Sequence, residues 1–269
     1  MHKLALPKFP LKYLVPSAFT LAALIAAFLS IISSFKPLGF GNSDNLIMAA
    51  QLIMLAMILD GIDGIVARAL HATTSFGAEL DTFVDFLGFA VAPAALLLAI
   101  NGRVGSGPIA NYLLPCLIVT LGATRLARFR VNDTLRGQDG YTGLPITVNA
   151  AWIALVIFIS RVYLPTSQGY TYEKFTPVFY LIIAGLITLQ VSNVHYPKPV
   201  KNVFMFLPWT VIVAFLWLLR PQLAAIMAFG MVLLGVGFVI WPLYALSNGR
   251  KPFPFKHRKY KFLRKNRHN

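Results

Sequence analysis

Four of the nine acidic residues in this chain, Asp60, Asp63, Asp81 and Asp85, fall in one run, DGIDGIVARALHATTSFGAELDTFVDF, between Asp60 and Phe86. The run is embedded in apolar sequence, where an ionised side chain is costly and persists mainly for function. Spacings of three and four put Asp60 and Asp63 on one face of a helix, and Asp81 and Asp85 on one face of the next. A short turn through His71 to Ser75 makes the two helices neighbours, so the faces can converge. Converging carboxylates repel one another unless protonated or neutralised by cations. Hard oxygen ligands without His or Cys point to Mg²⁺ or Mn²⁺, and two such ions can clamp a pyrophosphate.

The small residues Gly61, Gly64, Ala67 and Gly77 on the same stretch would let a bulky polar ligand approach the backbone. For Gly61 alone, packing between helices is the better reading. Arg68 can pair with a phosphate or snorkel to the interface. Glu79, two residues before Asp81, points to the opposite face and is assigned no catalytic role.

The elements that must position these residues are membrane helices. The chain has 269 residues, is 57% hydrophobic and only 12% charged, with mean hydropathy +0.69. That is about half the charge of an ordinary soluble domain. Apolar segments, each long enough to cross about 30 Å of hydrocarbon as a helix, run approximately Leu14 to Ile32, Leu46 to Arg68, Phe76 to Ile100 and Asn111 to Arg130. Further segments run from Ile146 to Leu164, Thr176 to Ser192, Val203 to Leu219 and Leu223 to Ser247. Continuous apolar runs lack the alternation of a barrel strand, so the fold class is an all-α integral membrane protein of about eight transmembrane helices.

Eight spans leave both termini on one side. If that side is the cytoplasm, 19 of the 24 basic residues lie inside, which satisfies the positive-inside rule. This arrangement accounts for most of the net charge of +15 without a nucleic-acid partner. The tail KPFPFKHRKYKFLRKNRH interleaves bases with Phe, Tyr and Leu, which suits a topology anchor on anionic membrane lipids. Residues 1–13 form an interfacial segment, 14–247 a single transmembrane catalytic domain, and 248–269 a basic cytoplasmic tail.

The basic, then apolar, N-terminal stretch is read as a retained first span. Its cleavage as a signal peptide would move one end of the chain across the membrane and fit the basic tail worse. A single cysteine, Cys116, excludes an internal disulfide and a cysteine-based zinc site. His71 and His195 are read as surface residues, and the four tryptophans as packing residues.

Asp60, Asp63, Gly64, Ala67, Arg68, Gly77, Asp81 and Asp85 fill every fixed position of the pattern D-x2-D-G-x2-A-R-x8-G-x3-D-x3-D. This resembles the signature of the CDP-alcohol phosphatidyltransferases. PSAFTLAALIAAFLSI, SFGAELDTFVDFLGFAVAPA, ATRLARFRV and YTGLP resemble the phosphatidylserine synthase branch of that family, with a weaker match over LQVSNVHYPKPVK. Together the stronger matches cover about the first 150 residues. The chain departs from the branch at Arg130, where Asn is usual, and at Gly88-Phe89-Ala90, where Ser-Phe-Gly is usual.

The resemblance implies a CDP-alcohol phosphatidyltransferase-like fold and transfer of a phosphatidyl group from CDP-diacylglycerol to an alcohol, L-serine in this branch, with release of CMP. It implies that Asp60, Asp63, Asp81 and Asp85 hold two Mg²⁺ or Mn²⁺ ions and that Asp85 is the general base. Gly64, Arg68, Thr74 and Gly77 would line the CDP site. A serine carboxylate needs a cation, and Arg125 and Arg128, three apart, can both face one cavity. The resemblance also implies a multi-pass inner-membrane protein with its active site facing the cytoplasm, and a homodimer. The alternatives are the same chemistry with inositol, inositol phosphate, glycerol 3-phosphate or choline, and a transporter that uses the aspartates as a cation site.

Overall fold

Apolar runs punctuated by Gly, Pro, Asn and Ser become helices joined by short connections. A computed structural model describes residues 11–38, 44–104, 109–132, 141–163, 169–196 and 203–248. The first helices are α1 (Leu11–Phe35), α2 (Asn45–Ala69), α3 (Ser75–Phe86), α4 (Ala92–Val104) and α5 (Leu114–Asn132). They are followed by α6 (Ile146–Tyr163), α7 (Gly169–Val191), α8 (Val203–Leu218) and α9 (Pro221–Ser247). Two short strands, β1 (Tyr141–Thr142) and β2 (His195–Tyr196), pair antiparallel, Tyr141 opposite Tyr196 and Thr142 opposite His195.

The protein is an all-α integral membrane protein. Among the described residues, six stretches are long and apolar enough to cross a membrane: Leu14–Phe35, Asn45–Ala69, Ser75–Asn101, Asn111–Val131, Ile146–Tyr163 and Pro221–Ser247. The remaining two expected segments are helical but shorter: the apolar part of α7, Pro177–Val191, and α8 with 16 residues. Sixteen residues rise only about 24 Å, less than the hydrocarbon thickness. Helix α1 starts at Leu11, so the expected interfacial segment of residues 1–13 already contributes to it. The rest of that segment and residues 249–269 of the tail lie outside the described residues.

The third expected span is one continuous rod with an irregularity. A π-helical turn, Leu87–Val91, joins α3 to α4, and a second, Ile109–Leu113, leads into α5. Each is followed two residues later by a proline, Pro93 and Pro115. A proline ring lacks the N–H for the residue four back and presses on its carbonyl, and a wider turn relieves that pressure.

Helix α2 is the centre of the bundle, with α1, α4, α6 and α8 around it. Small residues, Ala26 and Ala27 on α1 and Ala56 on α2, are buried in one cluster and let those two helices pack closely. Serines lock the pair at one end. Ser30 Oγ donates to the Ala49 carbonyl (2.8 Å) and Ser33 Oγ to that of Asn45 (2.9 Å). At the periphery α9 turns Ile226, Phe229, Leu233, Leu234, Ile240 and Trp241 outward, as a lipid-facing helix does.

Candidate active site

Helix α2 has to stop soon after Asp63 so that the chain can return with Asp81. It ends in a Schellman motif: the Ala72 N–H bonds the Ala67 carbonyl (2.9 Å) and the His71 N–H that of Arg68 (3.2 Å). His71 supplies the left-handed residue, with φ 48°. Three residues on, Thr74 caps α3, its hydroxyl accepting from the Gly77 N–H at 2.9 Å. These two devices turn α3 back beside α2.

The aspartates consequently meet. One carboxylate oxygen from each of Asp60, Asp63 and Asp81 lies within 4.8 Å of the others. Asp63 is buried, Asp60 and Asp85 are half-buried, and Asp81 is exposed. The charges that bear on Asp60 are those of Asp85, Asp81 and Asp63, so all four carboxylates belong to one electrostatic unit. Asp60 Oδ1 is buried without a hydrogen-bond donor, an arrangement that native structures avoid unless something else is bound. An octahedral Mg²⁺ with bonds near 2.1 Å holds opposite oxygens about 4.2 Å apart. Small side-chain adjustments therefore suffice, and the all-oxygen donor set fits a hard divalent cation.

Asp63 has a partner that the spacing of the aspartates did not reveal. Thr20, on α1, places its hydroxyl 2.5 Å from Asp63 Oδ2. The Pro16-x-x-x-Thr20 pattern was visible in the sequence, but it carried no chemistry until α1 was seen to pack on α2.

The residues expected to line a nucleotide site surround the α2–α3 connection. The Arg68 guanidinium folds back along its helix, so that a Cβ on Gly64 would come within 3.3 Å of it. A Cβ on Gly77 would sit 3.1 Å from the Thr74 hydroxyl. Gly64 and Gly77 thus leave room for arginine and cap, and Thr74 has a capping task of its own.

Arg125 and Arg128, expected to share a cavity, have different neighbours. Arg125 is buried, 6% exposed. Its guanidinium lies 5.5 Å from the Phe129 ring centre and 5.9 Å from that of Tyr141, and its charge acts on Asp85. Arg128 instead donates to the carbonyls of Val191 (2.6 Å) and Ser192 (2.8 Å) and to Asn193 Oδ1 (3.3 Å). The last carbonyls of a helix lack intrahelical donors, and a guanidinium fork satisfies them. Arg130 pairs with Glu79 and reaches the Ala78 carbonyl at 3.5 Å. Glu79, which has no catalytic role by sequence, thereby ties α3 to α5.

The segments YTGLP and LQVSNVHY, far apart in sequence, form one structure here. Gly143, with φ +80°, donates its N–H to the Val194 carbonyl (2.7 Å), and Leu144 donates to that of Leu189 (3.0 Å). Tyr141, against Arg125, is thus held in place from the end of α7.

A helical membrane bundle thus brings carboxylates from two successive helices to one place, an arrangement suited to a divalent cation. Residues 13–241 match the family model described as CDP-alcohol phosphatidyltransferase, and the chain belongs to that family. It is 32% identical over 236 residues to the CDP-diacylglycerol–serine O-phosphatidyltransferase of Helicobacter pylori (strain ATCC 700392 / 26695), covering 85% of this chain and 91% of that protein. It is 29% identical over 189 residues to the protein of that name from Bacillus subtilis (strain 168), covering 70% and 92%. It is 34% identical over 154 residues to the archaetidylserine synthase of Methanothermobacter thermautotrophicus, covering 56% and 58%.

Proposed function

We propose that the protein transfers the phosphatidyl group of CDP-diacylglycerol to the hydroxyl of L-serine, giving phosphatidylserine and CMP. The observation that carries this reading is the convergence of Asp60, Asp63 and Asp81 within 4.8 Å, with Asp85 beside them. Serine as acceptor is supported by the printed names of the relatives.

In this reading Asp60, Asp63, Asp81 and Asp85 hold Mg²⁺ or Mn²⁺, two ions in all. Bound there, the ions would offset the charge of the pyrophosphate and of the departing CMP. The serine oxygen bonds to the phosphorus that carries the diacylglycerol, the bond from that phosphorus to the CMP oxygen breaks, and the hydroxyl proton passes to the Asp85 carboxylate. Gly64, Arg68, Thr74 and Gly77 border the CDP moiety. Arg125 takes the acceptor carboxylate, with Phe129 and Tyr141 fixing its plane. Arg128 braces the end of α7 that carries Val194, to which Gly143 is bound. With both termini cytoplasmic, the site opens to the cytosol, where serine and CMP are soluble.

The test is CMP release by purified protein with CDP-diacylglycerol and Mn²⁺ or Mg²⁺. L-serine, inositol, glycerol 3-phosphate and choline are offered separately, and Asp85→Asn serves as control. Serine-dependent release that the variant loses supports the proposal. Release with a different alcohol moves the acceptor, and cation flux through liposomes without CMP release replaces the enzyme with a transporter.

A further inference from the structure

We infer that Thr20 is a positioning residue for Asp63, so that α1 takes part in building the metal centre. The inference rests on the metal reading of the aspartate cluster given above.

Four other threonines in these helices bond back to their own helix. Thr82 donates to Ala78 (3.1 Å), Thr120 to Cys116 (2.9 Å), Thr124 to Thr120 (2.8 Å) and Thr188 to Ala184 (2.7 Å). Thr20 has the same option, the Pro16 carbonyl at 3.1 Å, yet its hydroxyl also lies 2.5 Å from Asp63 Oδ2. A hydroxyl has one proton to give. The carboxylate is both nearer and charged, and a charge-assisted hydrogen bond is roughly twice as strong as a neutral one. The proton therefore goes to Asp63, in a place where Thr20 is 6% and Asp63 5% exposed and little water competes.

The hydroxyl does not drift into this position. The serine locks at Ala49 and Asn45 fix the register of α1 on α2 near one end, and Thr20–Asp63 fixes it near the other. Held at one oxygen by α1, the Asp63 carboxylate keeps one orientation toward Asp60 and Asp81. Outer-shell partners of metal-binding carboxylates commonly govern affinity in this way.

The experiment is a Mn²⁺ titration of detergent-solubilised protein without lipid substrate, read by electron paramagnetic resonance of free Mn²⁺. It compares wild type with Thr20→Val, Thr20→Ser and Ser30→Ala. Thr20→Val keeps the shape and removes the donor, and it should weaken Mn²⁺ binding by about 10-fold or more. Thr20→Ser restores the donor and should stay within about 3-fold of wild type. Ser30→Ala removes an α1–α2 hydrogen bond away from the cluster, and it should lower thermal stability without moving Mn²⁺ affinity. Wild-type affinity in Thr20→Val, or an equal loss in Ser30→Ala, overturns the positioning role. Absence of Mn²⁺ uptake by the wild type overturns the metal reading beneath it.

Discussion

Gly143→Ala tests whether the acceptor side of the site is assembled by the pairing of β1 with β2. Gly143 sits at φ +80°, and a Cβ there would collide with the backbone carbonyl oxygen of Gln190 and lie 3.2 Å from that of Ser192. The left-handed conformation alone costs a residue with a Cβ about 1–2 kcal/mol. The collision is with backbone at the end of α7, which has no flexible side chain to yield. Relief therefore requires β1 to move away, giving up the bonds from Gly143 to Val194 and from Leu144 to Leu189. The two bonds, at roughly 1 kcal/mol each, resist release, whereas the left-handed strain and the backbone collision drive it. The strain of about 1–2 kcal/mol alone shifts the balance toward the detached loop by roughly 10-fold, and the collision adds to that. The helices need not unfold for this to happen, so the melting temperature should fall only slightly. Hydrogen exchange in nanodiscs should show the Leu144 amide exchanging at least about 10-fold faster. The serine KM should rise, because Tyr141 then leaves Arg125. Unchanged protection of Leu144 together with wild-type serine KM would refute the reasoning.

Arg125→Ala should raise the serine KM by roughly 10- to 100-fold, the value of a charge-assisted hydrogen bond of about 1.5–3 kcal/mol, with CDP-diacylglycerol binding retained; an unmoved serine KM refutes it. Arg128→Ala should leave the carbonyls of Val191 and Ser192 without their donor and speed hydrogen exchange over 189–196, an effect that Arg125→Ala should not reproduce. Arg161→Met removes the partner of Asp44 in a largely buried pair. It should lower the melting temperature, with a cost toward the lower end of about 3–5 kcal/mol. Both KM values should hold, because Asp44 lies about 24 Å along α2 from Asp60, and a selective KM effect would count against that separation. His71→Gly relieves a left-handed residue at the end of α2 and should raise stability by up to about 1 kcal/mol in thermal denaturation; a lower melting temperature would show that the histidine side chain does more than turn the chain.

The aspartate site was legible because its code is local. Spacings of three and four fix a helix face, and Thr74 and Gly77 are recognisable as cap and clearance once α3 is placed. What lay between the two helices was less visible. A Schellman turn ordinarily announces itself with Gly, and here His71 adopts the conformation instead. The spans were legible as apolar runs, but their irregularities were not. Pro93 and Pro115 were the signals for the two π turns, and a proline by itself does not say whether a helix will break, kink or widen. The union of YTGLP with LQVSNVHY depends on pairing across about 50 residues, which no local pattern encodes. Arg128 shows the same limit: periodicity placed it near Arg125, and the open carbonyls at the end of α7 captured it.

The distribution of partners among the acidic residues fits the proposed cation site. Away from it, the exposed Glu79 is held by Arg130, and Asp44 by Arg161 in a largely buried pair, the ordinary solution for a carboxylate with little water around it. Arg128 lies on α5 but is committed to backbone carbonyls. Within the cluster the surroundings of Asp60 are other carboxylates, and its Oδ1 is buried without a donor. Arginine charge reaches the cluster, from Arg125 on Asp85 and from Arg68 on Asp63, yet four carboxylates still share one place. Carboxylate oxygens of Asp60, Asp63 and Asp81 lie within 4.8 Å of one another, and a hydroxyl from α1 steadies one of them. That is a costly arrangement in isolation, and under the proposed function it would become a favourable one when divalent ions bearing a pyrophosphate occupy the space between the carboxylates.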